Sequence, residues 1–400
     1  MEIRDITGSP MEIYIHIPFC IKKCDYCDFL SGPSGPKEQE AYVQALIEEI
    51  HAVKEGKGRS VSSIFIGGGT PSVLDARFIG EILNEIREKF LIESNAEITI
   101  EVNPGTADRK KLRAYRSYGI NRLSIGLQSP DDRELKILGR IHNYGQFLET
   151  YKNARDVGFD NINIDLMSAI PDQIYEGWEK NLRTVAELEP EHISSYSLII
   201  EEGTPFASRK LNLPDEDTEY NMYEATARIL REYGFEQYEI SNYAKDGRAC
   251  RHNIGYWTRV NYLGLGLGAS SLMENIRYTN TRDLYTYLEQ VEVIREGIWE
   301  NKHDDGTVEQ LPATNLHASA ELVGKYAQME EFMYLGLRMI DGVSRDDFMH
   351  SFGMPIEAVY QEVLNHLQEE GLLERRAGRI YLTPRGQDVS NYALSQFLFD

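Results

Sequence analysis

The sequence predicts an α/β fold: a partial six-stranded (β/α)6 barrel followed by a small, mainly helical, winged-helix-like C-terminal domain. Three observations predict it. Short apolar, β-branched runs alternate with longer amphipathic stretches through the first half, as in βαβ units of a parallel sheet. Glycine-rich and polar motifs fall where those runs end, which is where chemistry collects in parallel folds. From about residue 319 the pattern becomes helices followed by a short hairpin.

Candidate strands, mostly apolar, cover residues 12–17, 63–67, 97–102, 122–126, 161–167 and 192–198. Helical patterns occupy 38–55, 75–89, 108–118, 145–157 and 175–188 between them. Six such units favour an open or partial barrel over a closed eight-stranded one. Residues 242–268, rich in Gly, Asn and Tyr, have no long period, and 301–313 reads as an acidic, polar linker. Helices are expected at 320–340, 344–352 and 355–370, then a hairpin at 372–382 with Gly378 near its turn, and a last helix from Pro384. The expected organisation is a barrel over 1–240, a connecting segment over 241–310 and a helical domain over 311–400.

The 400 residues carry a formal net charge of −22. A nucleic-acid partner would meet a repulsive field, and the basic clusters Arg109-Lys110-Lys111 and Arg375-Arg376 are short. No apolar run reaches membrane-spanning length and no secretory signal core opens the chain, so a soluble, cytoplasmic protein is expected. Three of the four cysteines cluster, which favours a reducing compartment and metal chemistry over disulfides.

That cluster is Cys20-Ile21-Lys22-Lys23-Cys24-Asp25-Tyr26-Cys27, three thiols on one loop with no fourth nearby. Structural zinc and ordinary iron–sulfur centres take four protein ligands. Three thiolates suit a 4Fe-4S cubane with one iron open; a zinc loop borrowing His16, or three idle thiols, are the alternatives. Downstream, Ile64-Phe65-Ile66-Gly67-Gly68-Gly69-Thr70-Pro71 runs a strand into a turn whose backbone can approach a ligand closely.

Together these segments resemble the radical S-adenosylmethionine (SAM) superfamily. Tyr14-Ile15-His16-Ile17-Pro18-Phe19-Cys20, Glu101-Val102-Asn103-Pro104, Ser124-Ile125-Gly126-Leu127-Gln128-Ser129, Leu138-Gly139-Arg140-Ile141-His142 and Asn163-Ile164-Asp165-Leu166-Met167 resemble its porphyrin-related branch, as does Glu331 to Arg338 near the C-terminus. That branch holds oxygen-independent coproporphyrinogen III oxidases and HemW-type haem chaperones. The resemblance implies that Cys20, Cys24 and Cys27 ligate a 4Fe-4S cluster. It also implies that Tyr14, Tyr26, Gly68, Gly69, Thr70, Glu101, Gln128, Arg140 and Asp165 line a SAM site. By chemistry, Glu101 suits SAM's ammonium, Arg140 its carboxylate and Asp165 its ribose hydroxyls. Read singly, Glu101 and Asp165 are also possible helix caps, and Arg140 a surface ion pair.

Departures from the oxidase pattern favour the chaperone branch. Phe29 stands where the oxidases carry a further cysteine, and the first strand begins after about ten residues, leaving no long N-terminal arm. Cys250-Arg251-His252-Asn253-Ile254-Gly255-Tyr256-Trp257 contains His-Asn-x-x-Tyr-Trp, similar to the HemW signature. An imidazole suits haem iron and aromatics suit a porphyrin face, so His252 is a candidate haem contact, with Cys250 either a second soft ligand or a buried small residue. The competing reading of His252 is a histidine hydrogen-bonded within its own segment. His16 reads as a satisfied core histidine or a catalytic one.

The resemblance implies a protein that binds haem and transfers it to a haem-dependent acceptor, expected to be a respiratory membrane protein, with a homodimer among its states. The alternative is a radical SAM oxidoreductase acting on a porphyrinogen. A third reading makes the C-terminal module a DNA-binding domain, against which the charge counts.

Overall fold

The structure, a computed structural model, describes residues 9–56, 58–302 and 308–399. All six expected strands are present: β1 (Met11–Ile17), β2 (Ser60–Gly68), β3 (Leu91–Val102), β4 (Arg122–Gln128), β5 (Ile162–Ser168) and β6 (His192–Ser197). They lie side by side in chain order, each parallel to the next. The connections contain α1 (Pro36–Ala52), α2 (Ala76–Lys89), α3 (Arg109–Ser117), α4 (Asp132–Ile137), α5 (Tyr144–Asp156) and α6 (Tyr175–Ala186). Asp75, Asp108, Asp131 and Asn143 each accept a backbone N–H from the helix that follows. These caps satisfy donors that the first helical turn leaves open.

Side chains alternate between faces along a strand, and here the alternation separates two chemistries. Ile13 and Ile15 of β1 pair with Ile64 and Ile66 of β2, which pair with Ile98 and Ile100 of β3; all join the main apolar core. Full burial of such a side chain contributes about 2 kcal/mol. The alternate positions carry Glu12, Tyr14 and His16, then Ser63, Phe65 and Gly67, then Glu97, Thr99 and Glu101. Arg122 and Ser124 of β4, Asn163 and Asp165 of β5, and His192 of β6 continue that polar row.

The sheet runs on past these strands. Helix α7 (Glu216–Glu232) leads to β7 (Glu236–Glu239) and β8 (Asn242–Ala244), which extend the β6 edge in antiparallel fashion. After α8 (Arg251–Trp257), β9 (Tyr262–Leu265) adds to β1 in parallel, followed outward by β10 (Ser270–Met273) and β11 (Ile276–Asn280). Beyond α9 (Leu284–Val291), a separate ribbon pairs β12 (Glu296–Lys302) with β13 (Val308–Thr314), and β14 (His317–Leu322) returns to β11. The result is a mixed sheet of twelve strands.

Two expectations are corrected. Much of 301–313 is ribbon and not linker; 303–307 lies outside the described residues. Its strands are mostly polar and lack the apolar alternation that marks a strand in sequence. The helix expected from residue 320 begins at Lys325 as α10 (Lys325–Gly336), because 317–322 pairs with β11. Tertiary pairing overrides local helical preference there.

A second apolar core includes Met329 and Met333 of α10, Phe348, Leu364, Ile380 and Phe397. It joins helices Arg345–Phe352 and Glu357–Glu369 to a three-stranded sheet. Glu331 fastens this unit to the large sheet through Arg259 and Arg277, both at 2.7 Å.

Candidate functional site

The cysteine loop after β1 is held by backbone bonds. Cys20 N–H donates to the Gly32 carbonyl at 2.9 Å, Gly32 N–H to that of Pro18 at 3.0 Å, and Asp25 N–H to that of Leu138 at 3.1 Å. Cys20, Cys24 and Cys27 are free thiols. His16, the candidate fourth ligand for zinc, is buried, with Nε2 2.9 Å from the Leu30 carbonyl and Nδ1 3.0 Å from the Tyr14 hydroxyl. Both ring nitrogens are thus engaged by protein. Among the described residues no three His, Cys, Asp or Glu side chains converge as a single ion requires. With His16 engaged elsewhere, a donor set of three free thiols fits a polynuclear group with three thiolate ligands better than one four-coordinate ion.

The glycines of the turn after β2 have a packing reason. Gly68 has φ +114°, and a Cβ there would lie 2.7 Å from the His16 ring; one on Gly69 would lie 2.6 Å from the Phe19 carbonyl oxygen. Their absence lets the turn lie against the cysteine loop, and Gly68 N–H donates to Glu101 at 3.1 Å.

Tyr26, Gly68, Gly69, Thr70, Glu101, Gln128, Arg140 and Asp165 line one cavity with Cys20, Cys24 and Cys27. Tyr14 lies outside that lining: its hydroxyl bonds His16 and its ring stacks on Phe65. Neither Glu101 nor Asp165 caps a helix, and Arg140 meets no carboxylate among the described residues. Burial first, and then the Asp165 charge, pushes the Glu101 carboxyl up to about 8. Burial also raises Asp165, which accepts from Asn163 at 2.7 Å and Ser124 at 3.2 Å. Arg140 donates to the Gly126 carbonyl at 2.6 Å and Asn103 at 2.9 Å, and lies 3.5 Å from Cys24 Sγ. Among the described residues its buried Nε has no hydrogen-bond partner. An open guanidinium donor beside lightly bonded carboxylates suits a ligand bearing both a carboxylate and an ammonium. Gln128, at φ +71° beside a strand irregularity, supplies backbone strain at the same cavity.

Sequence reasoning assigned no part to Asn103, Ser124 or Asn163, which orient Arg140 and Asp165. All three stand inside the motifs, so the signal was their position. A roomier cavity of about 660 Å³, between α1, β9 and the ribbon, holds none of the motif residues.

The His-Asn-x-x-Tyr-Trp segment forms α8, lodged against the beginnings of the parallel strands and not their ends. His252 is 2% exposed, with Nδ1 2.8 Å from Ser63 Oγ and Nε2 3.1 Å from the Tyr256 hydroxyl. Burial first, then the Arg122 charge, holds its pKa down to about 3. Glu12, 3.6 Å away, is pushed up to about 8 by burial, so the contact is between neutral groups. Cys250 is buried too; its thiol donates to Glu97 at 3.4 Å, and burial raises it to about 12. Neither side chain is open to a ligand in this conformation.

Residues 14–185 match the Radical SAM superfamily and 325–389 the HemN C-terminal domain. The fold resembles that of the coproporphyrinogen III oxidase HemN from Escherichia coli, with a TM-score of 0.81 and 23% identity over 98% of this chain and 90% of that one. The class is therefore a radical SAM protein. Heme chaperone HemW of Lactococcus lactis is 34% identical over 396 residues, covering 98% of each chain, and that of Escherichia coli 35% identical over 391, covering 97% and 98%. The chain belongs to the HemW haem chaperone family.

Proposed function

We propose that this chain binds haem and delivers it to a haem-dependent acceptor protein, carrying a 4Fe-4S cluster on Cys20, Cys24 and Cys27 with SAM at the open iron. The observation behind this reading is the full-length likeness to proteins named Heme chaperone HemW, 34% identical over 396 residues in one case. When bound, the cluster supplies single electrons and a coordination position for SAM's amino and carboxylate groups. Glu101 accepts N–H bonds from the amino group, Arg140 pairs with the carboxylate and Asp165 accepts ribose hydroxyls. Gly68, Gly69 and Thr70 bring backbone groups to the ligand, Tyr26 and Gln128 pack beside it, and Tyr14 acts through His16. His252 contacts haem once α8 has moved away from Ser63 and Phe65.

The finer architecture belongs to the same reading. The six parallel strands act as a partial barrel over 1–240, joined by 241–310 to a winged-helix-like module over 311–400. The site of action is the cytoplasm, the acceptor is a respiratory membrane protein, and cluster and SAM support assembly, dimerisation or redox control of the transfer. Among the described residues no helix is long and apolar enough to cross a membrane, so contact with such an acceptor is made from its surface.

An anaerobic haem titration of cluster-reconstituted protein, followed at the Soret band, tests the reading. Saturable, stoichiometric binding that weakens in His252→Ala supports it. No specific binding overturns it, and coproporphyrinogen turnover with SAM and a reductant would then favour the oxidoreductase.

A further inference from the structure

A run of polar contacts joins the cofactor cavity to α8 through the polar face of the sheet. Asn163 Nδ2 donates to Asp165 at 2.7 Å, and Asn163 Oδ1 lies 2.7 Å from His192 Nδ1. His192 Nε2 lies 2.9 Å from the Tyr238 hydroxyl, which accepts the Cys250 N–H at 3.4 Å. Cys250 precedes α8, and its thiol and the His252 N–H both donate to Glu97 Oε1, at 3.4 and 3.3 Å. Asn163, His192, Cys250 and His252 are each 2% exposed or less, so water does not replace these bonds.

The run has one polarity. With its amide nitrogen donating to Asp165, Asn163 offers His192 an acceptor, which places the imidazole proton on Nδ1. Nε2 then accepts the Tyr238 O–H, and the phenol oxygen is left to accept from Cys250. Burial, and then the Arg122 charge, keeps His192 neutral, which preserves that arrangement.

We infer that this run links occupancy of the cofactor cavity to the position of α8, such that SAM holds the helix, and His252 with it, closed against β2. The inference rests on the proposed function and deepens it to regulation of the same haem site. Ribose hydroxyls on Asp165 keep its carboxylate ionised and the Asn163 amide fixed. That fixes His192 and Tyr238, which anchor the first turn of α8 through Cys250. Haem contact requires His252 to leave Ser63 and Phe65, so SAM and haem bind with negative coupling. Linkage makes the effect reciprocal. Tyr238 and His192 are positioning residues in this scheme.

Backbone hydrogen exchange over residues 250–257 of the cluster-reconstituted full chain tests it, with and without saturating SAM, in wild type and Tyr238→Phe. SAM is expected to slow exchange at least about fivefold in wild type. In Tyr238→Phe the slowing falls below about twofold while equilibrium dialysis shows SAM bound as tightly. His192→Gln serves as a second break should the first variant fold poorly. SAM binding with unchanged exchange in wild type, or slowing that persists in both variants, overturns the linkage and leaves the proposed function standing. Absence of SAM binding overturns both the cofactor reading and the linkage. A missing Soret response overturns the haem reading and the negative coupling with it, while the link between SAM and α8 is still read by exchange, which needs no haem.

Discussion

His252 lies against Phe65, with ring centroids 5.3 Å apart and planes 26° from parallel. Phe65 sits on β2 between Ser63, which bonds His252, and Gly67, which enters the glycine turn of the cofactor cavity. One strand thus carries the glycine motif at its end and packs against the helix of the other family motif.

Cysteine replacement should separate cluster chemistry from stability. Cys24→Ser is expected to reduce iron in the reconstituted protein from about four atoms per chain to a small residue, with little change in the apo-protein's melting. Cys250→Ser, buried at the far motif, should retain its iron. Equal iron in all three proteins would remove the cluster assignment.

SAM binding should release a proton. The Glu101 carboxyl, raised to about 8 by burial and Asp165, is largely protonated at pH 7 and ionises to accept both N–H bonds of SAM's amino group. Calorimetry in buffers of different ionisation enthalpy is expected to show close to one proton more released in wild type than in Glu101→Gln. The variant should bind SAM roughly ten- to a hundredfold more weakly, the cost of a lost charge-assisted bond. Identical proton counts in the two proteins would contradict this.

Apo-protein stability should have a plateau with a fall on each side. Burial lowers His252 and His142 to about 3 from 6.5, so their stabilisation is present above pH 6.5 and lost as pH falls through 3. Burial raises Glu12 to about 8 and Glu49 to about 7 from 4.5, so theirs is full below pH 4.5 and lost as pH rises through those values. Melting temperatures should therefore vary least between about pH 4.5 and 6.5. In Glu12→Gln the alkaline fall becomes shallower; an unchanged slope would show that Glu12 titrates normally.

Removing Glu331 should loosen the C-terminal unit. Its side chain is 5% exposed and bonds Arg259 and Arg277, of which the first is 12% exposed. Glu331→Ala leaves Arg259 nearly buried and unpaired, at a cost of about 3 kcal/mol. Denaturant unfolding followed by Trp257 fluorescence is expected to register it, since Arg338 stacks 4.5 Å from that ring. A change under about 0.5 kcal/mol would assign the docking to apolar packing instead.

The grouping of the candidate residues in one cavity was legible because motif spacing places them together: Cys20, Cys24 and Cys27 share one loop, Glu101 stands next to the end of β3 and Asp165 midway along β5. The roles of Asn103, Ser124 and Asn163 were not, because a one-letter code does not say whether an amide meets a ligand or orients the side chain that does. The ribbon was missed because exposed paired strands need no apolar alternation.

By itself the sequence determined the class of fold, the order of its parallel strands and the family, all of which rest on short-range patterns and motif order. Tertiary structure decided the state of His252. Ser63 lies 189 residues before it in the chain, and Phe65 and Glu12 are similarly remote. Whether an imidazole is neutral, bonded at both nitrogens and closed to solvent depends on which distant groups surround it and how far they exclude water. No local pattern encodes that environment.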